Sequence, residues 1–249
     1  MRAELQQHPS IPVKASVNPI AGPGHQEGVE YIEEPRVLTR YAVAILSLGL
    51  VVLALACVDK REAADEHFDL AIDLQEAGRT NEAIDEYTQA ISQYPELYQS
   101  YYNRGLIYAE QDDHQLAIDD FTSALMYHQR LADAYHARGL SYSNLEMHPR
   151  AIEDFDKALE LDPALTESHY SKGVALAVLG QSELALQSLD RAIELGPPRA
   201  EHFAYRSLAH AALGHVAAAA EDFETAVGMG FDQDMLQRAT ERLRAARQG

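Results

Sequence analysis

Eleven histidines, one cysteine and two adjacent-aspartate pairs are where this 249-residue chain could hold a metal, a nucleophile or an acid–base couple. A zinc site needs three or four ligands, and a helical metalloprotease site spaces two of them as H-E-x-x-H. No such spacing occurs, and Cys57 has no second cysteine to join it. Asp112-Asp113 and Asp119-Asp120 are sequence neighbours, so on a helix or turn they point apart and cannot flank one substrate. Neither a Gly-rich phosphate cradle nor a G-x-S-x-G nucleophile turn is present. The expectation is a chain without catalytic residues, metal or cofactor, whose histidines are ordinary surface or interface groups.

Charge narrows the partners. The chain has 20 Lys and Arg against 39 Asp and Glu, a formal net charge of −19. Only four and five of these lie in residues 1–57, so the acid belongs to the remainder. Nucleic-acid binding needs a basic stripe to neutralise phosphates, and none exists here. An acidic body favours neutral or basic partners, although such charge also serves as solvated helix surface.

The residues that position everything else recur every 34 positions. Ala83, Ala117, Ala151, Ala185 and Ala219 are one series; Ala90, Ala124, Ala158, Ala192 and Ala226 are another. Between them stand Tyr87, Phe121, Phe155, Leu189 and Phe223, and upstream Ala71, Gly105, Gly139, Gly173 and Ser207. Within residues 98–131, Tyr101, Gly105 and Tyr108 share one helix face, and Ala117, Phe121 and Ala124 share another. Small residues let two antiparallel helices approach, and the aromatic fills the gap. Gly78, Gly180 and Gly214, with Asp112 and Glu146 at the same register, mark the turn between helices. Pro95, Pro163 and Pro197 stop the second helix. One such pair cannot bury its apolar stripe alone, so pairs must stack. His114 and His148 fall in the turns, while His67, His169 and His210 occupy repeat positions.

These residues resemble the tetratricopeptide repeat over 64–97, 98–131, 132–165, 166–199 and 200–233. Gln129 and Phe231 stand where the family has proline, and His210 where it has an apolar residue. The resemblance implies an all-α fold, a right-handed superhelical solenoid of antiparallel helix pairs across 64–233. Residues 234–249 look like its capping helix, with Met235, Leu236, Ala239 and Leu243 inward. Arg238, Arg242, Arg244 and Arg247 form a basic outer face that either solvates or docks an acidic partner. The family binds protein or peptide partners on a concave surface lined by first helices. Carried onto this chain, that surface holds Phe68, Tyr102, His136 and Tyr170, ending at Ala204. Beside them run Asp65, Gln99, Asp133, Glu167 and Glu201, and a third row of Ile72, Leu106, Leu140, Val174 and Leu208. The rings either anchor a partner with neutral or basic character and apolar anchors, or pack between repeats. Family members that clamp a chaperone's terminal carboxylate use Lys and Asn where this chain has Phe68, Ile72, Tyr102 and His136, so that role is not expected. Arg104, Arg138, Lys172 and Arg206 recur at one register, where they cover apolar surface or pair with carboxylates.

The N-terminal region differs in kind. Residues 1–41 carry Pro9, Pro12, Pro19, Pro23 and Pro35 and read as unstructured. Ala42 to Val58 then runs AVAILSLGLVVLALACV without a charge, between Arg36 and Arg40 on one side and Asp59, Lys60 and Arg61 on the other. As a helix it spans roughly 26 Å, the short limit for a bilayer crossing. It equally fits the apolar core of a signal peptide. Cys57 closes the run after Leu53-Ala54-Leu55-Ala56, which resembles the lipobox of bacterial lipoproteins, whose cysteine is the lipid attachment site. The family prefers Leu three residues before the cysteine and a small residue two before, where this chain has Ala54 and Leu55. Met1 lies far upstream for a signal peptide, and a start at Val37 would make residues 1–36 an over-extended gene start. The two readings are a periplasmic-side lipoprotein of a bacterial cell envelope and a single-pass membrane protein. A soluble repeat regulator is a further alternative.

Overall fold

Eleven helices account for the described residues, 58–248 of a computed structural model. The N-terminal segment 1–41, the apolar run to Cys57 and the expected acylation site lie outside them. Helix α1 covers 58–76. Then follow α2 (Thr80–Gln93), α3 (Tyr98–Glu110), α4 (His114–Tyr127), α5 (Ala132–Asn144), α6 (His148–Leu161), α7 (Thr166–Val178), α8 (Ser182–Leu195), α9 (Ala200–Leu213), α10 (Val216–Gly228) and α11 (Gln233–Gln248). Odd-numbered helices up to α9 open a repeat and even-numbered ones close it. No helix of the described residues is long and apolar enough to cross a membrane.

The periodic residues build the core. Ala90, Ala124, Ala158, Ala192 and Ala226 are fully buried, as are Tyr87, Phe121, Phe155 and Leu189. Each large side chain so buried contributes about 2–3 kcal/mol. Helix pairs close tightly because the facing residue is small: a Cβ on Gly139 would lie 2.7 Å from the Phe155 ring, and one on Gly173 2.7 Å from Leu189 Cγ. In the fifth repeat Ser207 takes this place, and its hydroxyl donates to the Ala219 carbonyl at 2.7 Å.

Each first helix ends by one geometry. Gly78, Asp112, Glu146, Gly180 and Gly214 all adopt positive φ, from 59° to 79°. The following amide turns back to a carbonyl five residues earlier: Arg79 to Leu74, Asp113 to Tyr108, Met147 to Tyr142, Gln181 to Leu176 and His215 to His210, all 2.8–2.9 Å. This is the Schellman closure, which satisfies carbonyls left over at a helix end. Asp112 and Glu146 adopt the left-handed conformation without glycine's freedom.

Stacking follows from sequence order. Each second helix packs against the next first helix, and α3, α5, α7 and α9 also approach one another. The first helices therefore share one continuous face. Helix α11 packs on α9, where Leu236 joins buried Ala204 and Ala226, with Phe223 and Phe231 beside them. Two expectations are corrected here. Met235 is half exposed, because the inward stripe runs Leu236, Ala239, Thr240, Leu243 and Met235 lies one residue's rotation away. Ala204 is 1 % exposed and belongs to this core, so it does not face a partner surface.

Candidate functional site

The first-helix face carries three rows in register. The rings of the first row are half-buried, each seated on the core aromatic of its own repeat: Phe68 on Tyr87 at 5.8 Å, Tyr102 on Phe121 at 5.9 Å and His136 on Phe155 at 5.7 Å between centroids. Tyr170 instead meets His202 and Tyr205 of the following repeat, at 5.0 and 5.9 Å. Such tilted pairs add about 0.5–1.5 kcal/mol beyond area burial. His136 Nδ1 lies 2.8 Å from the Ser168 hydroxyl, and burial lowers its pKa, so the ring is neutral at neutral pH.

The acidic row is open along most of its length. Asp65, Asp133 and Glu167 are exposed, Gln99 and Glu201 partly so. Arg61 lies 4.0 Å from Asp65, and Arg199 reaches Glu167 at 3.4 Å and Glu201 at 3.9 Å, so the edge is partly neutralised at both ends. In the apolar row Leu140 is 39 % exposed, while Ile72, Leu106, Val174 and Leu208 are half-buried. The structure thus brings Phe68, Tyr102, His136, Tyr170 and the acidic row onto one side of the array.

The basic register is the feature whose role the sequence left open, and its partners are specific. Arg104 grips Asp120 through Nε and Nη2 at 2.8 and 2.7 Å, and its Nη1 donates to Thr88 of the preceding repeat at 2.7 Å. Arg138 repeats this with Asp154 (2.7 and 2.8 Å) and Thr122 (3.0 Å). Arg206 does so with Asp222 (2.8 and 2.7 Å) and Asp190 (2.7 Å). Each arginine holds one residue 16 positions ahead and one 16 behind, on the second helices of its own and the preceding repeat. Rings flank the guanidinium: Tyr101 and Tyr108 for Arg104, Tyr135 and Tyr142 for Arg138, all at 5.6–6.0 Å. Burial would lower the Arg104 pKa, but the hydrogen bonds and charge of Asp120 more than reverse it. The Arg206 pKa is raised, chiefly by its bonds to Asp222. These are bidentate, charge-assisted bonds, not solvated charge.

The register breaks twice. Repeat four has Lys172, which reaches Asp156 at 2.5 Å, and Ser188 where the gripped aspartate would stand. Repeat one has Leu70, and its carboxylate Glu86 is met by His67 at 2.6 Å instead. Asp119, adjacent to gripped Asp120, accepts from Gln115 at 3.1 Å, so the adjacent carboxylates do diverge. The sequence held the signal for this lattice, since Arg and Asp recur 16 apart in three repeats.

Among the described residues no three His, Cys, Asp or Glu side chains are placed to hold a metal ion. His210 Nδ1 lies 3.2 Å from His215 Nδ1, and burial lowers the His210 pKa. His202 is 1 % exposed with neither ring nitrogen hydrogen-bonded.

Profiles of the tetratricopeptide repeat match residues 132–165, 68–135 and 180–235, together more than half of the chain. No curated protein matches in sequence. Among solved structures the chain is similar to YrrB, described as a TPR protein with an unusual peptide-binding site (23 % identity, 76 % of this chain, 97 % of that one, TM-score 0.66). It is also similar to MamA from Desulfovibrio magneticus RS-1 (18 %, 69 % and 97 %, TM-score 0.64). Pseudomonas aeruginosa pilF is a third likeness (14 %, 76 % and 86 %, TM-score 0.62). At these identities the likeness is one of fold. Helix pairs of 34-residue period, left-handed closures and matching profiles together make this chain a member of the tetratricopeptide repeat family.

Proposed function

We propose that the chain is a non-catalytic scaffold that binds protein or peptide segments on its first-helix face while an N-terminal anchor holds it at a bacterial membrane. The carrying observation is the face itself. It keeps an apolar row and a ring row accessible beside an acidic edge, while the arginine lattice rigidifies the array behind it. Half-buried rings seated on a packed core are anchors already ordered before a partner arrives, which lowers the entropic cost of binding. YrrB, on the same fold, is described as having a peptide-binding site, and this use of the fold supports the reading. The pairs are taken to wind into a right-handed superhelix with the first helices inside.

The anchor rests on sequence: the seventeen-residue uncharged run Ala42 to Val58, with the sole cysteine, Cys57, next to its end. Two acyl chains on Cys57 would suffice for stable attachment where one does not. Cys57→Ser releases the protein from membranes if lipid is the anchor, and leaves it there if the apolar run spans the bilayer. Partner binding is tested by capture from crosslinked membranes. Leu140→Arg, on the first-helix face, is expected to abolish the co-purifying proteins; Leu184→Arg, exposed on the second helix α8, is expected to keep them. Equal capture by both variants overturns the reading.

A further inference from the structure

Of two further registers of the first-helix face, the second changes character steadily along the array, while the first is interrupted by buried Ala137 and by Ser171. One runs Asp69, Asn103, Ala137, Ser171, Tyr205, and the other Glu76, Glu110, Asn144, Val178, Ala212. Asp69, Glu76, Glu110 and Asn144 are exposed, and so is Val178, at 59 %. The exposed part of the second register therefore passes from carboxylate, through amide, to apolar between α1 and α7, beside the Asp65-to-Glu201 row, which keeps its carboxylates at α7 and α9. The Ile72-to-Leu208 row stays apolar throughout, so the steady change is confined to the Glu76-to-Ala212 register.

At the apolar end the surface deepens. Val178 of α7, Tyr205 and Leu208 of α9, and Ala239, Arg242 and Leu243 of α11 are among the residues that line a largely apolar cleft of about 300 Å³. Helix α11 thus supplies the wall of a cleft as well as a cap. At the other end α1 offers Glu62, Asp65, Glu66 and Asp69, with Val58 and the single cation Arg61 among them, around an open depression. Apolar clefts take apolar side chains, and an exposed carboxylate cluster attracts cations across about a Debye length.

Resting on the reading that this face binds partners, we propose that its partner is an extended peptide segment with basic residues over α1 and α3 and an apolar residue seated in the cleft between α7, α9 and α11. Four steps between neighbouring first helices at about 9–10 Å each give roughly 40 Å. An extended chain covers that with about twelve residues.

The test uses the full-length protein in detergent and fluorescently labelled twelve-residue peptides, read by anisotropy. One peptide carries lysines at one end and Leu and Phe at the other; two controls are lysine-rich or apolar throughout. The mixed peptide is expected to bind more tightly than either control. Asp69→Lys with Glu76→Lys is expected to weaken it about tenfold and to reduce its salt dependence, and Val178→Asp to weaken it about tenfold with salt dependence kept. All these positions are exposed, and unchanged circular dichroism checks the fold. If the mixed peptide binds no better than the controls, or if both variants bind it as the parent does, the graded-partner proposal is overturned. Should Leu140→Arg still abolish binding in that case, the face survives as the binding surface; should it have no effect, that reading falls too.

Discussion

Glu146 and Asp112 carry a conformational cost that three glycines at the same register avoid. Their φ values of 59° and 62° lie in the left-handed region, which costs an L-residue about 1–2 kcal/mol, less for Asp because its short side chain bonds locally. Glycine regains part of this through its larger unfolded-state freedom. Glu146→Gly is therefore expected to stabilise the protein by about 0.5–1 kcal/mol in urea unfolding, and Asp112→Gly by less. His202 supplies a second residue-scale expectation. Burial holds His136, His202 and His210 below the ordinary histidine pKa, so the unfolded chain binds protons that the folded chain refuses. Their contribution is complete above about pH 6.5 and is lost as the pH falls toward their folded values. Stability should decline between about pH 7 and 5.5, and His202→Leu should make that decline shallower. Because His202 has two unpartnered ring nitrogens, the same change should raise stability at pH 7 by about 1 kcal/mol.

At the scale of elements, the lattice of arginines decides how firmly each helix pair meets its neighbours. Asp154 is 5 % exposed and wholly dependent on Arg138 for its charge partner, so removing the arginine strands a buried carboxylate. Arg138→Ala is expected to cost about 3 kcal/mol, whereas Lys172→Ala, whose partner Asp156 is half exposed, should cost under about 1 kcal/mol. A double-mutant cycle on each pair measures the difference; equal coupling energies would contradict the lattice. The elements themselves were legible in the sequence because alanine, aromatic and glycine repeat at a fixed interval, and helix ends follow from Gly, Asp, Glu and Pro at fixed offsets. The register alone leaves open whether its arginines cover apolar surface or pair with carboxylates, and it does not name the partners, because Arg104 and Asp120 sit on different helices and nothing along one helix joins them. Met235 and Ala204 were misplaced for a related reason. Their exposure depends on how α11 seats on α9, and one residue along a helix is 100° of rotation.

At the scale of the whole repeat array, residues 58–248, the consequence is a stack of helix pairs with one differentiated face. The acidic and apolar rows and the half-buried rings could be listed from register alone, but not which rings are seated on the core. Tyr170 turns toward His202 and Tyr205, while Phe68, Tyr102 and His136 keep to their own repeats. Continuity of this face, more than any single residue, is what makes the array useful as a scaffold. It is tested most directly by placing a photo-activatable amino acid at Leu140 or at Leu184 in living cells and comparing the adducts. Discrete protein adducts from Leu140 and none from Leu184 are the predicted result; the same adducts from both positions, or adducts from Leu184 alone, would contradict it.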